Sequence, residues 1–310
     1  MNGSNLPEQP SVHLAPAKLN IRLKITGRRP DGYHHLVSVM APVNLCDRIE
    51  LRPAPQSGIF MTCHGLGVPE NAENLVFQAA KAFFLSAGLD RGLTIHLTKN
   101  IPVAAGLGGG SSDAAAVLRG LNRMESFPLA AATLEKLALH LGADVPFFLK
   151  QAPCIARGIG EILTPVEKWP DLWYVIVTPP VRVSTAWVYR QLARPRPEPD
   201  AQGSAEFELT ALEYQRTIKY LQKEPIEIIS LLENDLEQVT RTRFPEVGDI
   251  KQAILNSGAG GALMSGSGPS VFGVYPSEEA AKRAKRTLSS QGLGSVFLAK
   301  GLGGSSWLRE

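Results

Sequence analysis

Four glycines and two serines crowd into Pro102-Val103-Ala104-Ala105-Gly106-Leu107-Gly108-Gly109-Gly110-Ser111-Ser112-Asp113, between a strand-like stretch and an alanine-rich one. Glycine lets backbone N–H groups approach an anion closely, and the N-terminus of a following helix adds about half a positive charge. The chemistry favoured is the holding of phosphate, although a flexible connector would use the same residues. Two familiar phosphate loops do not fit. No lysine precedes Ser111 or Ser112, as G-x-x-x-x-G-K-[ST] requires. The dinucleotide fingerprint G-x-G-x-x-G fails at its third glycine, where Ser111 stands, and a second helix follows instead of a parallel strand.

Three other places carry groups that could act on a substrate. Lys18 and Asn20 alternate with Leu19, Ile21, Leu23 and Ile25 along Ala17 to Ile25, so an ammonium and an amide share one strand face. That face is expected to be solvated, with Arg22 and Lys24 beside them. Asp144, in Gly142-Ala143-Asp144-Val145-Pro146, could serve as a base, and an Asx-turn would equally account for it. Met264 to Ser270, with Gly266 and Gly268, reads as a hairpin-like turn. His34 and His35 are adjacent and would point apart, which makes a poor metal pair. Cys46, Cys63 and Cys154 lie far apart without zinc-ligand spacing and read as free thiols.

The elements that position these groups follow from periodicity and turn residues. Strands are expected at Ala17 to Ile25, Leu36 to Val43, Arg48 to Arg52 and Leu93 to Leu97, with a turn at Arg29-Pro30-Asp31-Gly32. Helices are expected at Asn74 to Ala87 with Gly88 behind, at about Ser112 to Met124, and at about Ala130 to Leu141 closed by Gly142. From Glu161 on, the pattern gives strands at Trp173 to Val177, Gly261 to Ser265, Ser270 to Tyr275 and Ser295 to Lys300. It gives helices at about Pro225 to Arg241, at Pro245 to Asn256 and behind Ser277, and an exposed proline-rich loop from Arg194 to Gly203. The class implied is α+β.

With 310 residues, 44% of them hydrophobic, the chain has room for two domains. A net charge of +3 from 32 basic and 29 acidic residues, without basic blocks, argues against nucleic acid. No apolar run approaches the roughly 20 residues that span a bilayer. The polar start Met1 to Gln9 lacks the features of a signal peptide, so no membrane partner and a cytoplasmic location are expected.

Taken together and in order, Ala15-Pro16-Ala17-Lys18-Leu19-Asn20, Pro102 to Ser112 and Met264 to Ser270 resemble the three motifs of the GHMP kinases. Within them, Gly27, Asp31-Gly32-Tyr33-His34, Gly108-Gly109-Gly110-Ser111-Ser112, Gly142 to Pro146 and Gly158-Ile159-Gly160-Glu161-Ile162-Leu163-Thr164-Pro165 are similar to the 4-diphosphocytidyl-2-C-methyl-D-erythritol kinase family. The likeness runs from about Leu14 to Gly301, and Met264-Ser265 and Pro269-Ser270 vary around the third motif. It implies ATP-dependent phosphorylation of a 2-hydroxyl, small-molecule substrates and Mg²⁺. It implies an N-terminal ATP-binding domain like the second domain of ribosomal protein S5 (1–165), a C-terminal ferredoxin-like domain (166–310) and an active site in the cleft between them.

By the same resemblance Asp144 is the general base and Lys18 its cationic partner, and the backbone from Pro102 to Ser112 holds ATP. The metal ligand stays open between Ser111 and Ser112. Asn20, Thr185, Gly266 and Gly268 would meet the acceptor, Tyr33 and Tyr189 would stack on the two faces of cytosine, and His34 would read its edge. A β-branched residue at Gly109 would block phosphate and resist positive φ. Homoserine or mevalonate kinases are the enzymatic rivals. An RNA-binding relative of the S5 fold is opposed by the near-neutral charge and the intact Lys18 and Asp144.

Overall fold

The computed structural model describes residues 10–192, 204–222 and 227–303. The first half runs β1 (Ser11–Arg28), β2 (His34–Ala54), β3 (Gly58–Gly65), α1 (Leu75–Ala87), β4 (Gly92–Lys99), α2 (Gly109–Met124), α3 (Ala131–Leu141), α4 (Val145–Lys150), β5 (Cys154–Gly158) and β6 (Ile162–Pro165). The second runs β7 (Trp173–Thr178), α5 (Thr185–Gln191), α6 (Ser204–Leu221), α7 (Ile228–Leu231), β8 (Glu233–Asn234), α8 (Glu237–Arg243), α9 (Glu246–Asn256), β9 (Gly261–Met264), β10 (Val271–Tyr275), α10 (Glu278–Ser289) and β11 (Ser295–Lys300).

Local chemistry sets the joints. Asp31 Oδ1 accepts from the Tyr33 N–H at 3.1 Å and Gly32 takes φ 92°, which turns β1 back onto β2. Asn74 caps α1 through the Val76 N–H, and Gly88 closes it in the left-handed region. Ser277 caps α10 with Glu278 and Glu279 in the first turn.

Six strands of the first half and β8 make a seven-stranded sheet with the central order β3-β4-β2-β1-β8, β5 pairing with β2 and with β6. Helices α1, α2 and α4 bury Val76, Phe83, Val117, Leu121, Phe147 and Phe148 against Ile49, Leu51, Ile95 and Leu97 of that sheet. The other sheet is antiparallel in the order β11-β7-β10-β9. Counted along the chain that is fourth, first, third and second, the ferredoxin-like arrangement expected from the resemblance. Its apolar face packs Val175, Val177 and Val271 against Val247 and Ile250 of α9 and Ala284 and Leu288 of α10.

Two expectations are corrected. The polar face of β1 is not solvated: Lys18, Asn20 and Arg22 are all buried. Helix α6, which the sequence pattern did not reveal, lies over it, and Arg22 donates to Glu213 of α6 and, at 2.7 Å, to Glu233 of β8. The charges are buried because they are paired. The single helix expected at Pro225 to Arg241 is broken into α7, β8 and α8 instead, Pro225 itself lying outside the described residues. Glu233 binds Arg22 and Lys24, Asp235 accepts from the Ile25 N–H at 2.9 Å, and Asn234 donates to Met264 O and Gly266 O, both at 2.8 Å. Three polar residues recruited to tertiary partners outweigh the weak helical preference of seven or eight positions. The sequence pattern also missed β3, α4, β5, β6 and α5; the loop Arg194 to Gly203 lies outside the described residues. Among those residues, no helix is long and apolar enough to cross a membrane.

Candidate active site

A cavity of about 1280 Å³ opens between the two sheets' elements and takes its wall from both halves of the chain. Lys18, Asn20, Tyr33, His34, Asp144, Thr185, Tyr189, Gly266 and the segment Pro102 to Ser111 all line it, apart from Leu107. Leu107, Ser112 and Gly268 stand behind the wall: Leu107 belongs to the apolar core, Ser112 is buried, and a Cβ at Gly268 would meet Met264 Sδ at 2.5 Å.

The glycine-rich loop ends in a helix with open N–H groups. Gly108, at φ 72°, occupies the N-cap of α2 and no side chain caps that end. The first-turn amides therefore have no partner within the helix and face the cavity. Left-handed φ falls at Ala104 (53°), Gly106 (76°) and Gly108 (72°). Gly109 is the first helical residue with no such φ, so strain there is not a reason for glycine; Lys99 Nζ, 2.8 Å from an added Cβ, is. Ala104, exposed at the cavity wall, holds a conformation that costs non-glycine residues about 1 kcal/mol.

Asp144 sits at the N-cap position of α4 yet makes no capping hydrogen bond. The Asx-turn explanation therefore does not hold, and the carboxylate is left for other work. Its Oδ2 lies 3.7 Å from Lys18 Nζ. The six-residue α4 is anchored by Phe147 and Phe148, fully buried with rings edge-to-face at 5.0 Å, each contributing about 1.5–3 kcal/mol. An added Cβ at Gly108 would meet the Phe148 ring at 2.9 Å and Lys18 Cγ at 3.1 Å, so loop, base and cation pack as one unit.

Lys18 Nζ donates to Asn20 Oδ1. Ser265 Oγ, in the β9–β10 turn, accepts from the Asn20 N–H at 3.2 Å and donates to Gly106 O at 3.0 Å. One hydroxyl thus ties β1, the phosphate loop and the second glycine-rich turn. Thr185 and Ser267 share a hydrogen bond of 2.8 Å, which brings α5 to the same turn. The His34 and Tyr189 rings touch with centroids 5.3 Å apart, while Tyr33 is 59% exposed at the rim. Burial and the Arg28 guanidinium push the His34 imidazole below its ordinary value. Burial, with the Asp144 charge beside it, pushes the Tyr189 phenol up, so its ring stays neutral.

The sequence reading missed Lys99, Asp47 and any role for Asp113. Lys99 Nζ donates to Asp47 and, at 2.7 Å, to Asp113, joining the end of β4 to the fifth residue of α2 across the loop. Asp47 Oδ1 also accepts from the Asn100 and Ile101 N–H groups at 2.6 and 2.8 Å. Burial pushes the Asp113 carboxyl well above the ordinary carboxylate range. Burial opposes the Lys99 ammonium, but Asp113 and Asp47 raise it above its usual range. A lysine ending a strand three residues before the loop and an aspartate directly after Ser111-Ser112 were the available signals. Cys46 and Cys154 are free thiols whose burial pushes them up to about 12, so neither supplies a thiolate.

Family models for the GHMP kinases N terminal domain and the GHMP kinases C terminal match residues 74–151 and 217–293. Relatives from Geobacter metallireducens and Syntrophotalea carbinolica, both named 4-diphosphocytidyl-2-C-methyl-D-erythritol kinase, are 46% and 49% identical, covering 89% and 90% of this chain and 93% and 94% of theirs. The chain belongs to the 4-diphosphocytidyl-2-C-methyl-D-erythritol kinase family. A crystal structure of a kinase of that name superposes with a TM-score of 0.75 at 37% identity, covering 95% of this chain and 100% of that one. A homoserine kinase from Cytophaga hutchinsonii, at 22% identity and TM-score 0.70 over 98% of each chain, shares the fold alone. The two matched ranges lie on either side of residue 165, and the cavity takes its wall from both halves of the chain.

Proposed function

We propose that this chain transfers the γ-phosphoryl group of ATP to the 2-hydroxyl of 4-diphosphocytidyl-2-C-methyl-D-erythritol, giving the 2-phosphate and ADP. The observation that carries this reading is the unspent Asp144 carboxylate, 3.7 Å from buried Lys18, packed against a helix N-terminus with open amides. Phosphoryl transfer demands in-line positioning and charge neutralisation more than covalent chemistry. Asp144 takes the acceptor's hydroxyl proton, and the Lys18 ammonium beside it screens the incoming phosphoryl oxygens. The open amides from Gly108 to Ser111 hold the ATP phosphates, the Ser112 N–H being taken by Gly108 O at 2.9 Å.

Mg²⁺ neutralises phosphate charge when bound and keeps several waters, so it needs few protein donors. Among the described residues no cluster of three carboxylate, histidine or cysteine ligands exists. The Ser112 hydroxyl, buried without a partner in the first turn of α2, and Ser111 at the cavity wall fit such an oxygen-donor role. A division near residue 165 into an N-terminal ATP-binding domain and a C-terminal GHMP kinase domain accords with the two sheets, except that β8 of the second half pairs with β1. Both substrates are charged and water-soluble, which fits a cytoplasmic reaction.

Tyr189, Tyr33 and His34 form the cytosine end of the cavity in this reading. Aromatic–base stacking is worth about 1–3 kcal/mol, so Tyr189→Ala should raise KM for the cytidine substrate roughly 5- to 150-fold. KM for ATP should stay nearly unchanged. Steady-state kinetics varying each substrate decides, and an equal rise in both would return Tyr189 to packing. The reaction itself is tested by ³¹P NMR of chain, ATP and acceptor: ADP with a new phosphomonoester is expected, and ADP without one would oppose the proposal.

A further inference from the structure

We infer that Ser38 is a positioning residue for the Lys18 and Asn20 pair, an inference that rests on the catalytic reading above. Ser38 is 1% exposed in the middle of β2, where it pairs with both β1 and β5. A buried hydroxyl is costly unless its hydrogen bonds are made. This one makes two: its Oγ–H donates to Arg22 O at 2.6 Å and its lone pair accepts from Asn20 Nδ2 at 2.9 Å.

The direction of the relay is dictated by chemistry. A carbonyl can only accept, so the single Ser38 proton is committed to Arg22 O. Ser38 can then offer Asn20 only a lone pair, which turns the NH₂ end of the amide toward β2 and the Oδ1 end toward Lys18. An ammonium can only donate, and it meets Asn20 Oδ1. Of its three protons one is thereby held, a second faces Asp144, and the third is left for a phosphoryl oxygen. Gly266 leaves room for this, since an added Cβ there would lie 3.2 Å from Asn20 Oδ1 and 3.3 Å from Lys18 Nζ. Without the Ser38 hydroxyl, the Asn20 NH₂ end is buried without its acceptor, and the amide gains a reason to rotate its oxygen away from Lys18. Ser38 lines the same cavity but its hydroxyl bonds Asn20 and Arg22 O rather than Lys18 or Asp144, so it acts through Asn20.

The test uses Ser38→Ala and the shape-matched pair Ser38→Thr and Ser38→Val, the first of which keeps the hydroxyl. Loss of one buried hydrogen-bond partner should lower kcat about 10-fold in the Ala and Val variants. KM for ATP should stay within about twofold of wild type, and Ser38→Thr should retain most of kcat. Asn20→Ala supplies the cycle: adding Ser38→Ala to it should change kcat by less than about twofold, because the residue through which Ser38 acts is gone. Additive losses, unaltered kcat in Ser38→Ala, or equal losses in Thr and Val would each overturn the role. If Ser38→Ala does not fold, the Thr and Val comparison decides alone. Wild-type turnover in the same assay separates this question from the proposed reaction, which fails only if the unmodified chain makes no phosphoester.

Discussion

Asp144→Asn should lower kcat by about 10²–10⁴-fold, the usual contribution of a positioned base, while ATP binding survives. The substitution keeps shape and removes only the capacity to take a proton. It leaves α4 intact, because Asp144 contributes no capping hydrogen bond to that helix and the anchors are Phe147 and Phe148. It leaves the phosphate loop intact, because the amides that face the cavity belong to α2. Rapid-quench or steady-state kinetics with calorimetric titration of ATP separates the two effects. Near-normal turnover of a well-folded variant would remove Asp144 from the mechanism.

Gly106→Ala should be nearly as damaging, for a different reason. Gly106 holds φ 76°, where an L side chain costs about 1 kcal/mol, and its added Cβ would run into the Ser265 carbonyl oxygen. The obstructing atom is backbone, so no rotamer change relieves it. Movement would also break the Ser265 hydroxyl bond to Gly106 O, and with it the joint to the Asn20 N–H. A fall of about 100-fold in kcat/KM for ATP is expected, with loss of roughly 5 °C or more in Tm. Gly110→Ala is the informative contrast: an added Cβ meets only Leu75 Cδ1 at 3.6 Å, so any loss of ATP affinity there reports the approach of phosphate. Unchanged ATP affinity and Tm in Gly106→Ala would mean that the joint between loop and turn does not matter.

The site was legible wherever chemistry and local sequence coincide. Gly106 to Ser112 needed only glycine's backbone freedom and a following helix, and the structure supplies an N-terminus without a side-chain cap. Asp144 and Lys18 were individually ambiguous, because an Asx-turn or a solvated strand would use the same residues. What separates the readings is tertiary: a cap not made, and a strand face covered by α6. Helix α6 follows a proline-rich stretch and its polar residues gave no apolar stripe to read, while the break in the expected helix at Leu232 to Leu236 arises from partners more than 200 residues away on β1 and about 30 residues away at the β9–β10 turn. Ser38 and Asp47 carried no local signal, since one serine on a strand and one aspartate before another strand mean nothing until Asn20 and Lys99 are brought to them. Periodicity reports which face is apolar; it does not report which polar residues will be buried together.

The central claim, that this cavity phosphorylates a cytidine diphosphate polyol, is tested most directly by acceptor choice. Purified chain with ATP and Mg²⁺ would be offered 4-diphosphocytidyl-2-C-methyl-D-erythritol, homoserine and mevalonate, and ADP release measured across acceptor concentrations. The presence of His34, Tyr33 and Tyr189 in one cavity with Asp144 and Lys18 predicts a kcat/KM for the cytidine acceptor at least about 10³-fold above the other two, as expected when a site built to bond a group meets acceptors that lack it. Comparable or faster ADP release with homoserine or mevalonate would contradict it.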